Sequence, residues 1–130
     1  ILAMEPRCLV LDESTALLAP RARREVLDLL RGLHERGLAV VTITHHMDEV
    51  AAAERVLVLE HGAVALAGTP QEVFAQRDAL AALALEAPPA VVIADGLRQR
   101  GATLPGEILT PDGLVRAVLA EAGPASRRRP

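Results

Sequence analysis

The amino-acid sequence predicts an α/β protein with a parallel sheet, followed by a β-hairpin and a helical C-terminal segment. Two short apolar runs, "LVL" at 9–11 and "LAVVTIT" at 38–44, are typical of strands that are buried on both faces. Apolar residues recur at helical spacing between them, so strand, helix and strand follow one another as in a βαβ unit. From about residue 77 the chain consists of helix-like pieces separated by proline and glycine.

The helix between the two strands has a start signal and a stop signal. Pro20 suits the first turn of a helix, and Gly37 suits the position just after its end. One face of this helix is apolar because hydrophobic side chains recur every three or four positions, at Val26, Leu29, Leu30 and Leu33.

The residues after the second strand predict a short helix from "HHMDEVAAAE" and then a hairpin. The runs "RVLVLE" at 55–60 and "AVALA" at 63–67 flank His61-Gly62, which is a two-residue turn signal. Thr69, Pro70 and Glu72 then supply an N-cap, a proline at the first helical position and the acid of a capping box. We therefore expect a helix that runs through Phe74.

The change near residue 77 to helix-like pieces separated by proline and glycine predicts the domain organisation. Residues 1–76 form the α/β part, residues 77–123 form a helical appendage, and residues 124–130 are an arginine-rich flexible tail. Thr110-Pro111 marks the start of the last helix of the appendage.

Composition excludes several classes of protein. The chain has 130 residues, of which 51% are hydrophobic, and this is enough to form a core. Its net charge is −3, so nothing indicates a general attraction to nucleic acid or to an anionic membrane. These residues contain no pattern that predicts a signal peptide, and we expect no membrane span because no apolar stretch among them is long enough to cross a bilayer.

Polar side chains follow both predicted strands where each strand ends. Asp12 and Glu13 close the first strand, and His45 follows the second. Because ligands of parallel α/β sheets bind beyond the carboxyl ends of the strands, these three groups can converge on a phosphate and Mg²⁺. On spacing alone two other interpretations stay open, namely a solvated strand end for the acids and a capping or packed residue for the histidine.

The longer motifs resemble a known family. "CLVLDE" and "TITHHMDEV" resemble the Walker B and switch-histidine segments of ABC-type ATPases, and "ERVLVLEHGAVALAGTPQEVF" resembles the strand pair and helix that follow in the same cassette. "THHMDEV" and "LRQRGATLPGEILTPDGLVRAVL" are similar to the ATPase subunits of energy-coupling factor (ECF) importers of vitamins, cobalt and nickel. The resemblance implies a partial P-loop NTPase fold of the ABC type.

The resemblance also implies roles for the site residues. Asp12 would bind Mg²⁺ through water, Glu13 would polarise the attacking water, and His45 would contact the γ-phosphate of ATP. His46 is expected to make a helix-start contact, and Glu49 to serve the helix N-terminus. The implied partners are a second ATPase cassette, identical or different, and a transmembrane coupling subunit. The implied location is the cytoplasmic face of the plasma membrane.

Several features depart from the family pattern. Ser14 stands where proline or alanine is usual, and Ala19 stands where an aspartate ordinarily helps to couple the two ATP sites. All 14 basic residues are arginine, so the chain contains no Gly-Lys-Ser/Thr phosphate loop, and it contains no "LSGGQ" signature. We therefore expect the C-terminal half of a cassette that is inactive by itself.

Two alternatives to that expectation remain. The first is a truncated or degenerate cassette that is not catalytic and acts as an interaction piece. The second is an ABC-like head of a DNA-repair or chromosome-organising ATPase, although such heads lack the "GTPQEVF" turn. The transported substrate cannot be inferred from these residues.

Overall fold

The computed structural model describes residues 6–123, which form two compact units that divide between Glu49 and Val50. The predicted tail at 124–130 and the first five residues lie outside the described residues. The predicted division into residues 1–76 and 77–123 stays a prediction.

The first unit contains a two-stranded parallel sheet. Strand β1 (Cys8–Asp12) pairs with strand β2 (Ala39–Ile43), in a register that runs from Cys8 opposite Ala39 to Asp12 opposite Ile43. Helix α1 (Pro20–Glu35) connects the strands, which confirms the predicted βαβ order. The short helix α2 (Met47–Ala51) follows β2.

Helix α1 begins and ends at the predicted signals. Pro20 is its first residue, and Gly37 follows its end with a φ of 94° that suits glycine. The Gly37 N–H donates to the His34 carbonyl at 2.8 Å, and the Leu38 N–H donates to the Leu33 carbonyl at 3.2 Å. This pair of bonds is a Schellman motif, which satisfies carbonyls at the helix end.

The expectation that both faces of this sheet are buried is wrong for the described residues. Leu9 is buried, but Val10, Val41 and Ile43 expose 61%, 49% and 52% of their surface. Side chains alternate between the two faces of a strand, so each face needs its own covering layer. Within the described part of this unit α1 contacts the sheet, and the alternating exposure indicates that it covers one face.

The second unit begins with the predicted hairpin. Strand β3 (Val56–Glu60) pairs antiparallel with strand β4 (Ala63–Gly68). The turn residues His61 and Gly62 have φ values of 50° and 80°. Two successive positive φ angles are typical of the type I′ turn, whose twist matches that of paired strands.

Four helices follow the hairpin among the described residues of the second unit. Helix α3 starts with the predicted capping box at Thr69 and Glu72, and the last helix starts with the predicted Thr110 cap. A small core contains Ala90, Ala94 and Ile108. No helix among residues 6–123 is long and apolar enough to span a membrane. The helices are α3 (Pro70–Ala75), α4 (Arg77–Ala82), α5 (Pro89–Gln99) and α6 (Pro111–Ala122).

Candidate active site

The parallel pairing brings the ends of β1 and β2 to the same edge of the sheet. Asp12 lies opposite Ile43, and the N–H of Glu13 donates to the Ile43 carbonyl at 2.9 Å. Glu13 has a φ of 47°, in the left-handed region that non-glycine residues seldom adopt. The chain therefore leaves the extended conformation directly after Asp12.

Glu13 and His45 form the predicted contact between the two strand ends. His45 Nδ1 lies 2.8 Å from Glu13 Oε1. An ionised carboxylate only accepts hydrogen bonds, so Nδ1 is the ring nitrogen that carries the hydrogen in this pair. The side chains remain 66% exposed for His45 and 40% for Glu13, so both are accessible to a ligand. The contact orients the imidazole with Nε2 on the side opposite Glu13.

His46 joins this pair in the structure, although the sequence indicated no more than a helix-start contact for it. The centroid of its ring lies 4.3 Å from that of the His45 ring. Glu13, His45 and His46 each offer one possible metal-ligand atom, and these three atoms lie within 4.8 Å of one another. The predicted helix-start contact is also present, because the His46 carbonyl accepts from the Glu49 N–H at 3.0 Å. The sequence signal that could have indicated the proximity of His46 to the pair is the occurrence of two consecutive histidines directly after a strand.

Asp12 does not belong to this group of ligand atoms. It lies exposed at the last position of β1, next in the chain to Glu13. Magnesium prefers oxygen ligands and keeps several waters, so an exposed carboxylate at a strand end fits this ion better than paired imidazoles do. The exposed carboxylate of Asp12 is thus chemically compatible with Mg²⁺, and its role as the metal ligand stays a prediction.

A buried polar cluster joins the loops that carry Glu13 and His45, and sequence reasoning did not find it. The Thr15 hydroxyl donates to Glu49 Oε1 at 2.5 Å, and the Thr15 residue is 1% exposed. Arg23 on α1 brings its Nε to 3.9 Å from the same carboxylate oxygen, whose side chain is 2% exposed. Glu49 was predicted to serve the helix N-terminus, and it does lie in the first turn of α2, but its carboxylate contacts the loop after β1. Side-chain partners that are 34 residues apart leave no periodic signal.

Comparison with solved structures identifies the class of protein. The chain is similar to the structure of cbiO1 from Clostridium perfringens, described as part of the ABC transporter complex cbiONQ, with a TM-score of 0.54 and 33% identity over 75% of this chain and 38% of that one. A bacterial Atm1-family ABC exporter with ATP bound matches 62% of the chain at a TM-score of 0.53 and 24% identity, which supports the fold alone. The fold is therefore that of an ABC ATPase cassette, in part, as predicted.

Comparison with curated proteins narrows the relationship. The chain is 55% identical over 118 residues to the energy-coupling factor transporter ATP-binding protein EcfA1 of Symbiobacterium thermophilum, and 50% identical over 119 residues to EcfA2 of the same organism. These alignments cover 90% and 91% of this chain but 41% of each relative, so the chain spans less than half the length of those proteins. No family model matches the chain. The predicted resemblance is confirmed: the chain is related to ABC-type ATPases and is similar to the ATP-binding proteins of ECF transporters.

Proposed function

We propose that this chain belongs to the ATPase subunit of an ECF-type importer. It would supply the residues for ATP hydrolysis that lie at the carboxyl ends of β1 and β2. The observation that supports this function best is the contact of 2.8 Å between Glu13 and His45, whose strands end at one edge of a parallel sheet. That edge is where doubly wound sheets bind ligands. The relatives carry the name of ATP-binding proteins.

The proposed roles follow from the chemistry of each side chain. Glu13 uses its carboxylate to orient and polarise the water that attacks the terminal phosphate. His45 presents its Nε2 to a γ-phosphate oxygen while Nδ1–H donates to Glu13. Because a phosphate oxygen accepts, donation from both ring nitrogens requires the protonated imidazole. Asp12 would hold Mg²⁺ through water.

ATP and Mg²⁺ are the proposed cofactors. Bound Mg²⁺ supplies positive charge that offsets the charge of the phosphate oxygens. The residues of this chain hold the metal and position water, but they include no lysine and hence no Gly-Lys-Ser/Thr loop for the phosphates. We therefore propose that these 130 residues do not hydrolyse ATP without a phosphate loop and a signature motif from additional sequence.

The proposed assembly is the one that the resemblance implies. The chain would work with a second ATPase cassette, identical or different, and with a transmembrane coupling subunit. It would lie at the cytoplasmic face of the plasma membrane as a peripheral protein. Nucleic acid is not a proposed partner, in keeping with the net charge of −3.

The function is tested in the complete cassette, by which we mean the polypeptide that joins a phosphate loop and a signature motif to these residues. Glu13→Gln keeps the size of the side chain and removes its basic carboxylate, so ATP turnover should fall by about 100-fold or more. ATP binding, measured by equilibrium titration, should remain. Glu60→Gln is the matched control, because Glu60 is also an exposed glutamate at a strand end and lies in the second unit. Turnover of the Glu13 variant near that of the control would refute the assigned role.

The second candidate function is that of a non-catalytic interaction piece. Ala19 favours it, because the family usually has an aspartate there to couple the two ATP sites. If the unmodified complete cassette binds a second cassette but shows no ATP turnover, this second function replaces the first.

A further inference from the structure

The loops that follow β1 and β2 are joined by a buried hydrogen bond besides the exposed pair of Glu13 and His45. Thr15 lies two residues after Glu13, and Glu49 lies four residues after His45. The Thr15 hydroxyl donates to Glu49 Oε1 at 2.5 Å, and both residues are buried. The bond therefore connects the segment that carries the carboxylate to the segment that carries the imidazole.

Helix α1 contributes to the same point through Arg23. Its Nε lies 3.9 Å from Glu49 Oε1, so the positive guanidinium faces the buried carboxylate. Burying a carboxylate is costly unless charge and hydrogen bonds compensate it, and here Thr15 and Arg23 provide both. Three segments of the first unit thus meet at Glu49, and all of them belong to one compact unit.

The buried contacts are of a kind that can hold an exposed pair in place. Glu13 and His45 are 40% and 66% exposed, so water competes for their hydrogen bond and the bond alone holds neither loop firmly. The bond between Thr15 and Glu49 is shielded from water, where loss of one partner leaves the other unsatisfied. Glu49 Oε2 already has no hydrogen-bond partner among the described residues, so the carboxylate depends on its contacts through Oε1.

We propose that Thr15, Glu49 and Arg23 form a positioning cluster that sets the distance between Glu13 and His45. This inference rests on the proposed function, because it assigns the cluster a task in the same hydrolytic site. The cluster residues touch neither ATP nor water in the reaction. They act through the loops, so their loss should lower kcat and leave the KM for ATP nearly unchanged.

The first test uses the complete cassette and two substitutions of Thr15. Thr15→Val keeps the shape and removes the hydroxyl, and kcat should fall by about 10- to 100-fold because small displacements of catalytic groups have effects of this size. The KM for ATP should stay within about threefold. Thr15→Ser keeps the hydroxyl and should restore kcat to within about twofold of the unmodified protein. Equal kcat values for the valine and serine variants would overturn the proposal.

A matched control separates positioning from simple loss of stability. Like Thr15→Val, Thr110→Val removes a threonine hydroxyl. The Thr110 hydroxyl accepts a hydrogen bond from the Gly113 N–H at the start of α6, in the second unit. Its kcat should match that of the unmodified cassette at a temperature where all variants are folded. A comparable fall in kcat for this control would show that the effect of Thr15→Val is not specific to the cluster, and would overturn the proposal.

A second measurement does not depend on ATP turnover. The ¹⁵N chemical shifts of the His45 imidazole report which ring nitrogen carries hydrogen and what it contacts. Thr15→Val and Glu49→Gln should both change these shifts, whereas Thr15→Ser should not. If the unmodified cassette has no ATPase activity but the shifts behave in this way, the proposed function fails and the positioning cluster stands. Unchanged His45 shifts in both Thr15→Val and Glu49→Gln would overturn the proposed positioning cluster. If Thr15→Val does not fold, the His45 shifts of Glu49→Gln alone test the proposal.

Discussion

The capping box at the start of α3 offers a sharp test of local structure. The Thr69 hydroxyl accepts from the Glu72 N–H at 3.3 Å and donates to Glu72 Oε2 at 3.1 Å. The Thr69 N–H donates to the same carboxylate oxygen at 2.8 Å. Thr69→Ala removes the two contacts of the hydroxyl and keeps the contact of the backbone N–H.

The size of the effect follows from the exposure of the site. Both residues are exposed, so water replaces part of what the hydroxyl provided, and the substitution should cost about 1 kcal/mol, within the range of about 0.5–2 kcal/mol for N-cap replacements. A change of about 1 kcal/mol in the opening of α3 corresponds to about fivefold faster exchange of its amide hydrogens. Losses of about 0.5 and 2 kcal/mol would accelerate the exchange by about twofold and about 30-fold, respectively.

The measurement is hydrogen–deuterium exchange followed by mass spectrometry of peptides that cover 70–76. Thr69→Ser is the matched control, because it retains the hydroxyl and should exchange like the unmodified chain. Thr110→Ala removes the equivalent cap of α6 and should accelerate exchange in that helix but not in α3. Equal exchange of α3 in the alanine and serine variants would refute the energetic role of the Thr69 hydroxyl.

Two further predictions concern the same unit. The N–H and the hydroxyl of Thr69 lower the pKa of Glu72 below its ordinary value of 4.5, so the carboxylate contributes stability above that pH and loses it as the pH falls through the lowered pKa. Glu72→Gln should therefore accelerate exchange of α3 at pH 7, and the ratio of its rate to that of the unmodified chain should approach one in acid; a ratio independent of pH would contradict this. Phe74 is 2% exposed and is the chain's single aromatic residue, so Phe74→Ala should destabilise the fold by about 3–5 kcal/mol in urea denaturation followed by circular dichroism, whereas Val92→Ala, at a 55% exposed site, should have a small effect. A loss below about 1 kcal/mol for Phe74→Ala would mean that the ring is not packed as described.

Much of the fold was predictable because its signals are local. Pro20 and Gly37 bound α1, His61-Gly62 forms the hairpin turn, and the capping box at Thr69 starts α3, as expected. Each of these signals depends on the backbone preferences or hydrogen bonds of a few neighbouring residues. The meeting of Glu13 and His45 was also predictable, because the carboxyl ends of adjacent parallel strands lie at one edge.

The order of the helices and strands, the α/β class of the fold and the two strand ends that carry polar groups all follow from the sequence. Which side chains complete the site depends on the three-dimensional packing. It placed His46 beside His45, and it paired Thr15 with Glu49 and Arg23 across distant parts of the chain. It also decided that one face of the β1–β2 sheet is exposed among the described residues. Burial and side-chain contacts depend on which surfaces pack together in space. The type of a residue, apolar or polar, does not specify which distant residue it contacts.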